Sequence, residues 1–508
     1  MADWDFGYIT DLAYVHDFCR VQTPPMLALA ALCGGIEARG GAGEPMSYCD
    51  LGCGQGYTAN LIAAANPSAQ VLGIDFNPSH IVNARTLASD AGLSNVEFRE
   101  ASFHDLAADP TVPDFDVVAM HGVFSWISAA NRHAIVTMLA RRLKPGGLLY
   151  ISYDCMPGWA GVAPLRSIIA RRFAPQPGLS SSAALERAIA YSDALRGADA
   201  RFHRMFPNVE AQMERLKKTP RAYLAHELLT RDWEAFSFGQ VAEELAEAKL
   251  AYLGSAYLID GVDRVNFTEA QQEFLATLDD EVLQQETRDM VLARQFRRDV
   301  FVKGRAPARP SRLRERWLDT RFAMTSTDKD FDLNFETPLG KLQLRPDIHG
   351  RLVEALRTGP MTLREALGRV AKPATNWQSV TDAIKVLVGR GDLQPALPAA
   401  GDAARAAPVQ AFNRAVLARA TDTAEFGFLA SPVTGGAVRV DRLAQLYLLT
   451  RQGGAEEPAE VLAKLMLQST ASGGDAASSP EARRELVQTE VARIERDVVP
   501  MLDKLGIS

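Results

Sequence analysis

Residues 47–60 read SYCDLGCGQGYTAN. A short apolar run ends in Asp50, three glycines alternate with other residues, and a helical pattern follows. Glycine this dense at the end of a strand lets the backbone turn sharply and approach a ligand closely. A strand–glycine loop–helix unit restricts the chain to folds in which ligands sit at strand ends. Two common uses of such a loop fail on spacing. The dinucleotide fingerprint G-x-G-x-x-G needs its third glycine three residues after the second; here Gly56 follows Gly54 by two. The phosphate loop G-x-x-x-x-G-K-[ST] needs a lysine that is absent after Gly56.

The first third of the chain alternates apolar strands with helical patterns. Strands are expected at 47–50, 69–75, 95–101, 115–122 and 148–154. The helix at 128–147 has Ser128 as N-cap, Ile135, Met138, Leu139 and Leu143 on one face, and KPGG as its stop. Such alternation implies a mostly parallel sheet covered on both faces. Later stretches at 251–259 and 295–304 read as two strands returning to the same sheet, with amphipathic helices from about 160 to 250 as an insertion.

At 508 residues the chain is too long for one core. Its expected parts are a catalytic core at 1–175 and a helical insertion at 176–305 that returns the last two strands. A middle region at 306–397 has a winged-helix outline, and 398–508 is mostly helical. RAPARPSR (305–312) and LPAAGDAARAAP (397–408) read as linkers, and SGGDAASS (472–479) as a polar interruption. The formal charge of −7 gives no sign of bulk nucleic-acid binding. Five scattered cysteines point to reduced thiols and a cytoplasmic setting, and Cys49 and Cys53 lack the further ligands of a zinc site. The longest apolar stretch, MLALAALCGGI, falls short of the roughly 20 residues of a membrane span.

What remains for the loop is acidic-x-G-x-G-x-G after a strand: Asp50, Gly52, Gly54 and Gly56, with Cys53 inside it. This resembles motif I of the class I S-adenosylmethionine-dependent methyltransferases. The resemblance implies a Rossmann-like seven-stranded α/β sheet and an S-adenosylmethionine cofactor whose amino-acid tail engages Asp50. Asp75, ending the second strand, suits two ribose hydroxyls because an ionised carboxylate accepts from both. The family usually carries an acid after the third strand; here Ser102 stands there, so adenine recognition falls to Ser102, the Phe103 backbone and Phe76. His121, in HGVFSWI, is expected beside the sulfonium, although a packed histidine is an equal reading of that residue alone.

The acceptor side is read from HGVFSWI and SYDCMPGW. Tyr153, Asp154 and His121 are the candidate catalytic groups, and Trp126 and Trp159 the candidate substrate contacts. Aromatic faces with a carboxylate hold an ammonium by cation–π and charge contacts, though both indoles also suit plain core packing. Together with YLAHELL and FSFGQVAEEL, these segments resemble bacterial methyltransferases with a methyltransferase regulatory domain, among them the rickettsial-type protein-lysine methyltransferases of outer-membrane proteins. That resemblance implies direct in-line methylation of protein lysine, with the helical part docking a substrate or a second copy of the chain. Asp154 and Cys155 depart from it, standing where an amide and a small polar residue are expected. A small-molecule N- or O-methyltransferase and a non-enzymatic cofactor sensor are the alternatives.

Overall fold

The structure is a computed structural model that describes residues 8–38, 43–173, 179–327, 329–369, 376–453, 462 and 480–507. The polar stretch at 472–479 lies outside the described residues. Seven strands form the main sheet: β1 Met46–Leu51, β2 Ala69–Asp75, β3 Val96–Glu100, β4 Phe115–Met120, β5 Leu143–Asp154, β6 Leu250–Ser255 and β7 Phe296–Lys303. Their order is β3-β2-β1-β4-β5-β7-β6. The first five are parallel, and β7 runs antiparallel between β5 and β6.

This order explains the position of the site. From β1 the chain winds to β2 and β3 on one side, then crosses to β4 on the other. A crevice opens at such a reversal, beyond the carboxyl ends of the strands. Asp50 pairs with Ala119 across β1 and β4, so the glycine loop and His121 leave neighbouring strand ends. The helical stretch expected from 160 to 250 is present, with helices Ala163–Arg172, Ser181–Gly197, Asn208–Lys217, Arg221–Leu229 and Phe238–Ala246.

Two helices are buried all round. Every residue of Tyr57–Ala65 is buried. One side lies on the sheet, and the other meets the C-terminal part through a core of Tyr57, Leu61, Phe412, Val416, Leu429 and Val438. Asn66 Nδ2 donates to the Gly435 carbonyl at 2.8 Å, in the turn of a hairpin formed by Phe428–Ser431 and Gly436–Arg439. The Tyr57 hydroxyl bonds the Phe428 backbone, and Arg419 pairs with Asp90. Helix Pro24–Cys33, the MLALAALC stretch, packs under β6 and β7 against the middle region. Its apolarity therefore reflects burial between two layers. Among the described residues no helix is long and apolar enough to cross a membrane.

Three expectations change. The stretch at 397–408 is largely helix, because Asp402–Arg419 begins inside it; its alanines favour helix, although Pro408 stands inside the helix and forgoes one backbone hydrogen bond. Residues 310–319 also form a helix, with Pro310 at its first position. In the middle region, helices Arg351–Arg357, Leu363–Arg369 and Trp377–Arg390 follow the helix–strand–helix–helix–strand order. Their small sheet takes its central strand, Arg321–Met324, from ahead of the helices, and strand Leu393–Ala396 runs on into helical structure instead of a wing hairpin.

Candidate functional site

A cavity of about 510 Å³ opens at the strand ends, lined by Asp50, Gly52, Gly54, Asp75, His121 and Asp154 among others. The three loop glycines all have φ between +52° and +71°, a region other residues enter only with strain. They do different work. A Cβ on Gly52 would come within 2.5 Å of Val123. A Cβ on Gly56 would lie 2.3 Å from Ala84 Cβ and 2.9 Å from Phe98, so this glycine lets the helix after the loop close on its neighbour. Gly56 is not among the residues that line the cavity. At Gly54 a Cβ meets only Tyr14, at 3.8 Å, so here the backbone is open to a ligand. Cys53 lines the cavity too; burial pushes its thiol well above the usual range, leaving it unreactive.

Asp75 shapes the loop from the end of β2. Its Oδ2 accepts from Gly54 N at 2.9 Å, and Oδ1 accepts from Asn77 N at 2.9 Å and approaches His80 Nδ1 at 3.2 Å. Asp50 is 3 % exposed and makes no hydrogen bond or ion pair through its side chain among the described residues. Burial raises its carboxyl to about 7, with His121 the main opposing influence. A buried acid without a partner is costly unless a ligand brings one. Phe76 and Phe103 line the cavity as expected. Ser102 lines it as well, but its hydroxyl is committed to capping helix Phe103–Ala108: Oγ accepts from Asp105 N at 3.1 Å and donates to Asp105 Oδ2 at 2.7 Å.

His121 is held by its Nδ1 edge. Tyr150 Oη lies at 2.8 Å and Ser152 Oγ at 3.0 Å, while Ser152 Oγ accepts from Gly122 N at 2.8 Å. Cys19 Sγ lies 3.5 Å from the same nitrogen, so Nδ1 is enclosed by three side chains and Nε2 is the ring nitrogen without a protein partner among the described residues. Burial first, then Arg298, lowers its pKa to about 4, so the ring is neutral at pH 7.

Strand alternation decides the acceptor side. Successive residues of a strand point to opposite faces, so Tyr150, Ser152 and Asp154 share the cavity face of β5. Tyr153, expected to be catalytic beside Asp154, points away. It is 1 % exposed, and its hydroxyl donates to Asp299 Oδ2 at 2.7 Å, where Arg297 also binds. Tyr153 is therefore a structural residue on the far face.

Asp154 Oδ2 accepts the indole N–H of Trp233 at 2.9 Å, and Trp126 and Trp159 line the same end of the cavity. The Trp159 and Trp233 rings meet edge to face, 4.9 Å between centroids. Burial raises Asp154 to about 7, against the pull of the Trp233 and Trp126 indoles. Glu227 is buried behind it, its pKa pushed well up by burial and then by Asp154, and its Oε1 has no partner. The nearby cation, Arg166, spends Nε and one Nη on the carbonyls of Glu227 and Thr230. Asp154 thus faces an aromatic chamber with Glu227 buried behind it, and neither makes an ion pair among the described residues.

Sequence reasoning missed several of these groups. Tyr8 and Tyr14 belong to an N-terminal segment that lies across the cavity: Gln55 Nε2 donates to the Tyr14 carbonyl at 3.2 Å, and Tyr8 stands 5.7 Å edge-on to Phe76. Glu227 and Trp233 lie in YLAHELLTRDW, where no strand-end rule singles them out.

Comparison with known proteins agrees with this geometry. Residues 43–175 match the family model described as "Methyltransferase domain", and residues 220–303 match "Predicted methyltransferase regulatory domain". A protein of Synechocystis, described as uncharacterized protein sll1526, is 36% identical over 509 residues, covering 99% of this chain and 100% of that one. Trans-aconitate 2-methyltransferase of Methylobacterium nodulans is 31% identical over 30% of this chain and 50% of its own. Among solved structures, PKMT2 from Rickettsia typhi in complex with AdoHcy superposes with a TM-score of 0.67 at 19% identity, over 97% of this chain and 99% of that one. With the seven-stranded sheet and its glycine loop, these matches establish that the chain belongs to the class I S-adenosylmethionine-dependent methyltransferases that carry a methyltransferase regulatory domain.

Proposed function

We propose that this methyltransferase N-methylates an amine, the side chain of lysine in a protein substrate. The observation that carries the reading is the Asp154–Glu227 pair: Asp154 lines a chamber walled by Trp126, Trp159 and Tyr223, Glu227 is buried behind it, and neither has an ion pair among the described residues. Aromatic faces and negative charge favour an ammonium. The same walls disfavour an anionic acceptor, which distinguishes this chain from its trans-aconitate relative. A protein rather than a small amine is supported by the likeness to PKMT2 over nearly the whole chain, beyond the catalytic part.

The cavity suits the cofactor: Gly54 leaves the backbone open, and Asp50 is a buried acid awaiting a cation. Asp75 is placed for the ribose, with Phe76 and Phe103 at the adenine end. When bound, S-adenosylmethionine supplies a methyl group activated by its sulfonium. The chain's own task is to deliver an uncharged nucleophile. A lysine ammonium, with a free pKa of about 10.4, must first lose a proton. Asp154 Oδ1, free of the Trp233 bond, takes it, and the carboxyl so formed stays neutral in its apolar surroundings. Tyr8 and Tyr14 cover the chamber and exclude water.

Two measurements test this. Transfer of tritiated methyl from the cofactor to lysate proteins, followed by hydrolysis, is expected to place label in N-methyl-lysine; label confined to base-labile esters or to small molecules would overturn the amine-on-protein reading. Asp75→Ala is expected to weaken S-adenosylhomocysteine binding about 10- to 100-fold by calorimetry, because the carboxylate both braces Gly54 and meets the ribose. Unchanged affinity would remove Asp75 from the cofactor site.

A further inference from the structure

The regulatory segment contributes more than two closing strands to the sheet. On β7, Arg297 and Arg298 are neighbours and so point to opposite faces. Arg297 lies on the Tyr153 side, bonded to Asp289 and to Asp299 Oδ2 at 2.7–2.8 Å. Arg288 and Arg294 likewise pair with Asp263 and Asp260. Arg298 is the exception. It makes no ion pair among the described residues, and its guanidinium lies over the rings of Phe296 at 4.9 Å and Tyr257 at 5.7 Å. It lines the cofactor cavity.

Its register shows which part of the cavity it serves. Arg298 pairs across the sheet with Ser152, the residue that holds His121 Nδ1. The Nδ1 edge of His121 is taken up by Tyr150 and Ser152 of β5, so Nε2 is the ring nitrogen left for a ligand, a donor when it carries the ring proton. Two groups with positive or donor character, Arg298 and His121, therefore sit together at the cavity wall, and Asp50 lies on the other side of the His121 strand end, on β1. The arrangement is dipolar: a lone buried acid on one side, a lone guanidinium and an N–H donor on the other. The amino-acid tail of the cofactor is dipolar in the same sense, with an ammonium and a carboxylate on one carbon.

We propose that Arg298, aided by His121 Nε2–H, binds the carboxylate of the cofactor's amino-acid tail, while Asp50 takes the ammonium. The regulatory segment then completes the cofactor site, and the cofactor in turn fastens β7 to the glycine-loop half of the sheet. A bound carboxylate relieves a guanidinium that has no counter-ion, and a charge-assisted hydrogen bond of this kind is about twice as strong as a neutral one. The assignment rests on the identity of the cofactor and is independent of which acceptor is methylated.

Calorimetry with two ligands tests it: S-adenosylhomocysteine, and its decarboxylated analogue, which keeps the amine but lacks the carboxylate. The wild-type protein is expected to bind the first at least tenfold more tightly. Arg298→Gln is expected to weaken S-adenosylhomocysteine about 10- to 100-fold and to leave the analogue within about threefold of its wild-type affinity, so that discrimination collapses. Arg298→Lys, which keeps the charge, is expected to restore part of it. Equal losses for both ligands would show a merely structural role, and no loss for either would show that the arginine does not meet the cofactor; each overturns the proposal. Should Arg298→Gln fail to fold, the wild-type protein still decides, because equal affinity for the two ligands overturns it as well.

Discussion

Asp154→Asn is expected to lower kcat/KM for methyl transfer by about 10²- to 10⁴-fold, the range for loss of a positioned proton acceptor. The substitution is nearly isosteric. An asparagine oxygen still accepts from Trp233, which now bonds Asp154 Oδ2 at 2.9 Å, so the aromatic walls should keep their places. On the proposed reading, what is lost is the negative charge that draws the ammonium and the oxygen that takes its proton. Cofactor affinity is expected to stay within about threefold, since Asp154 lies at the acceptor end of the cavity. The wild-type pH profile supplies a second readout. Burial raises Asp154 to about 7, so the acid takes up a proton as pH falls through that value. Transfer should fall with it on the acid side, and Asp154→Asn should lose that limb. An equal fall in cofactor binding and transfer would move Asp154 out of the acceptor site.

Asp50→Asn should separate stability from binding. The carboxyl titrates at about 7 in the fold against 3.8 as its ordinary value. A folded pKa raised above the unfolded one means stability that is present below pH 3.8 and is lost as pH rises toward 7. Above pH 7 the buried charge costs the apo protein on the order of 4 kcal/mol, at 1.36 kcal/mol per unit. Asparagine removes that cost. The apo variant should therefore melt at a higher temperature than wild type at pH 8, and the gap should narrow at pH 5. S-adenosylhomocysteine binding should move the other way, weakening about 100-fold or more as the ammonium loses its counter-charge. A variant that melts below wild type at pH 8 would mean that Asp50 is structural, and one with undiminished affinity would mean that the ammonium lies elsewhere.

Both effects come from acids buried without an ion pair among the described residues, and the acids of the site differ in how readable they were. Asp50 could be singled out because its offset from Gly52 and Gly54 resembles the methyltransferase motif. Asp75 could be singled out as the last residue of β2. Glu227 could not: it lies 73 residues beyond Asp154, on helix Arg221–Leu229, and comes near Asp154 only because that helix packs against helices Ala163–Arg172 and Ser181–Gly197. The N-terminal segment carrying Tyr8 and Tyr14 has no periodic pattern, so nothing local marks it as a cover. Tyr153 shows the opposite failure. Its phenol suits the chemistry, but the two-residue period of the strand turns it away from the cavity that Asp154 faces.

By itself, the sequence determined what short-range rules control: five parallel strands and their helices from periodicity, the two later strands of the sheet, and a cofactor loop from the spacing of Asp50 and its glycines. These depend on residues a few positions apart, whose backbone preferences survive in any context. The tertiary structure decided the rest. It placed Arg298 beside His121 through the antiparallel register of β7 with β5, joined Glu227 to Asp154, and drew a C-terminal hairpin onto helix Tyr57–Ala65. Those pairings join residues from 73 to 369 positions apart. Their physical cause is the burial of two whole helices and several charges at once, and no local pattern records which distant surface covers which.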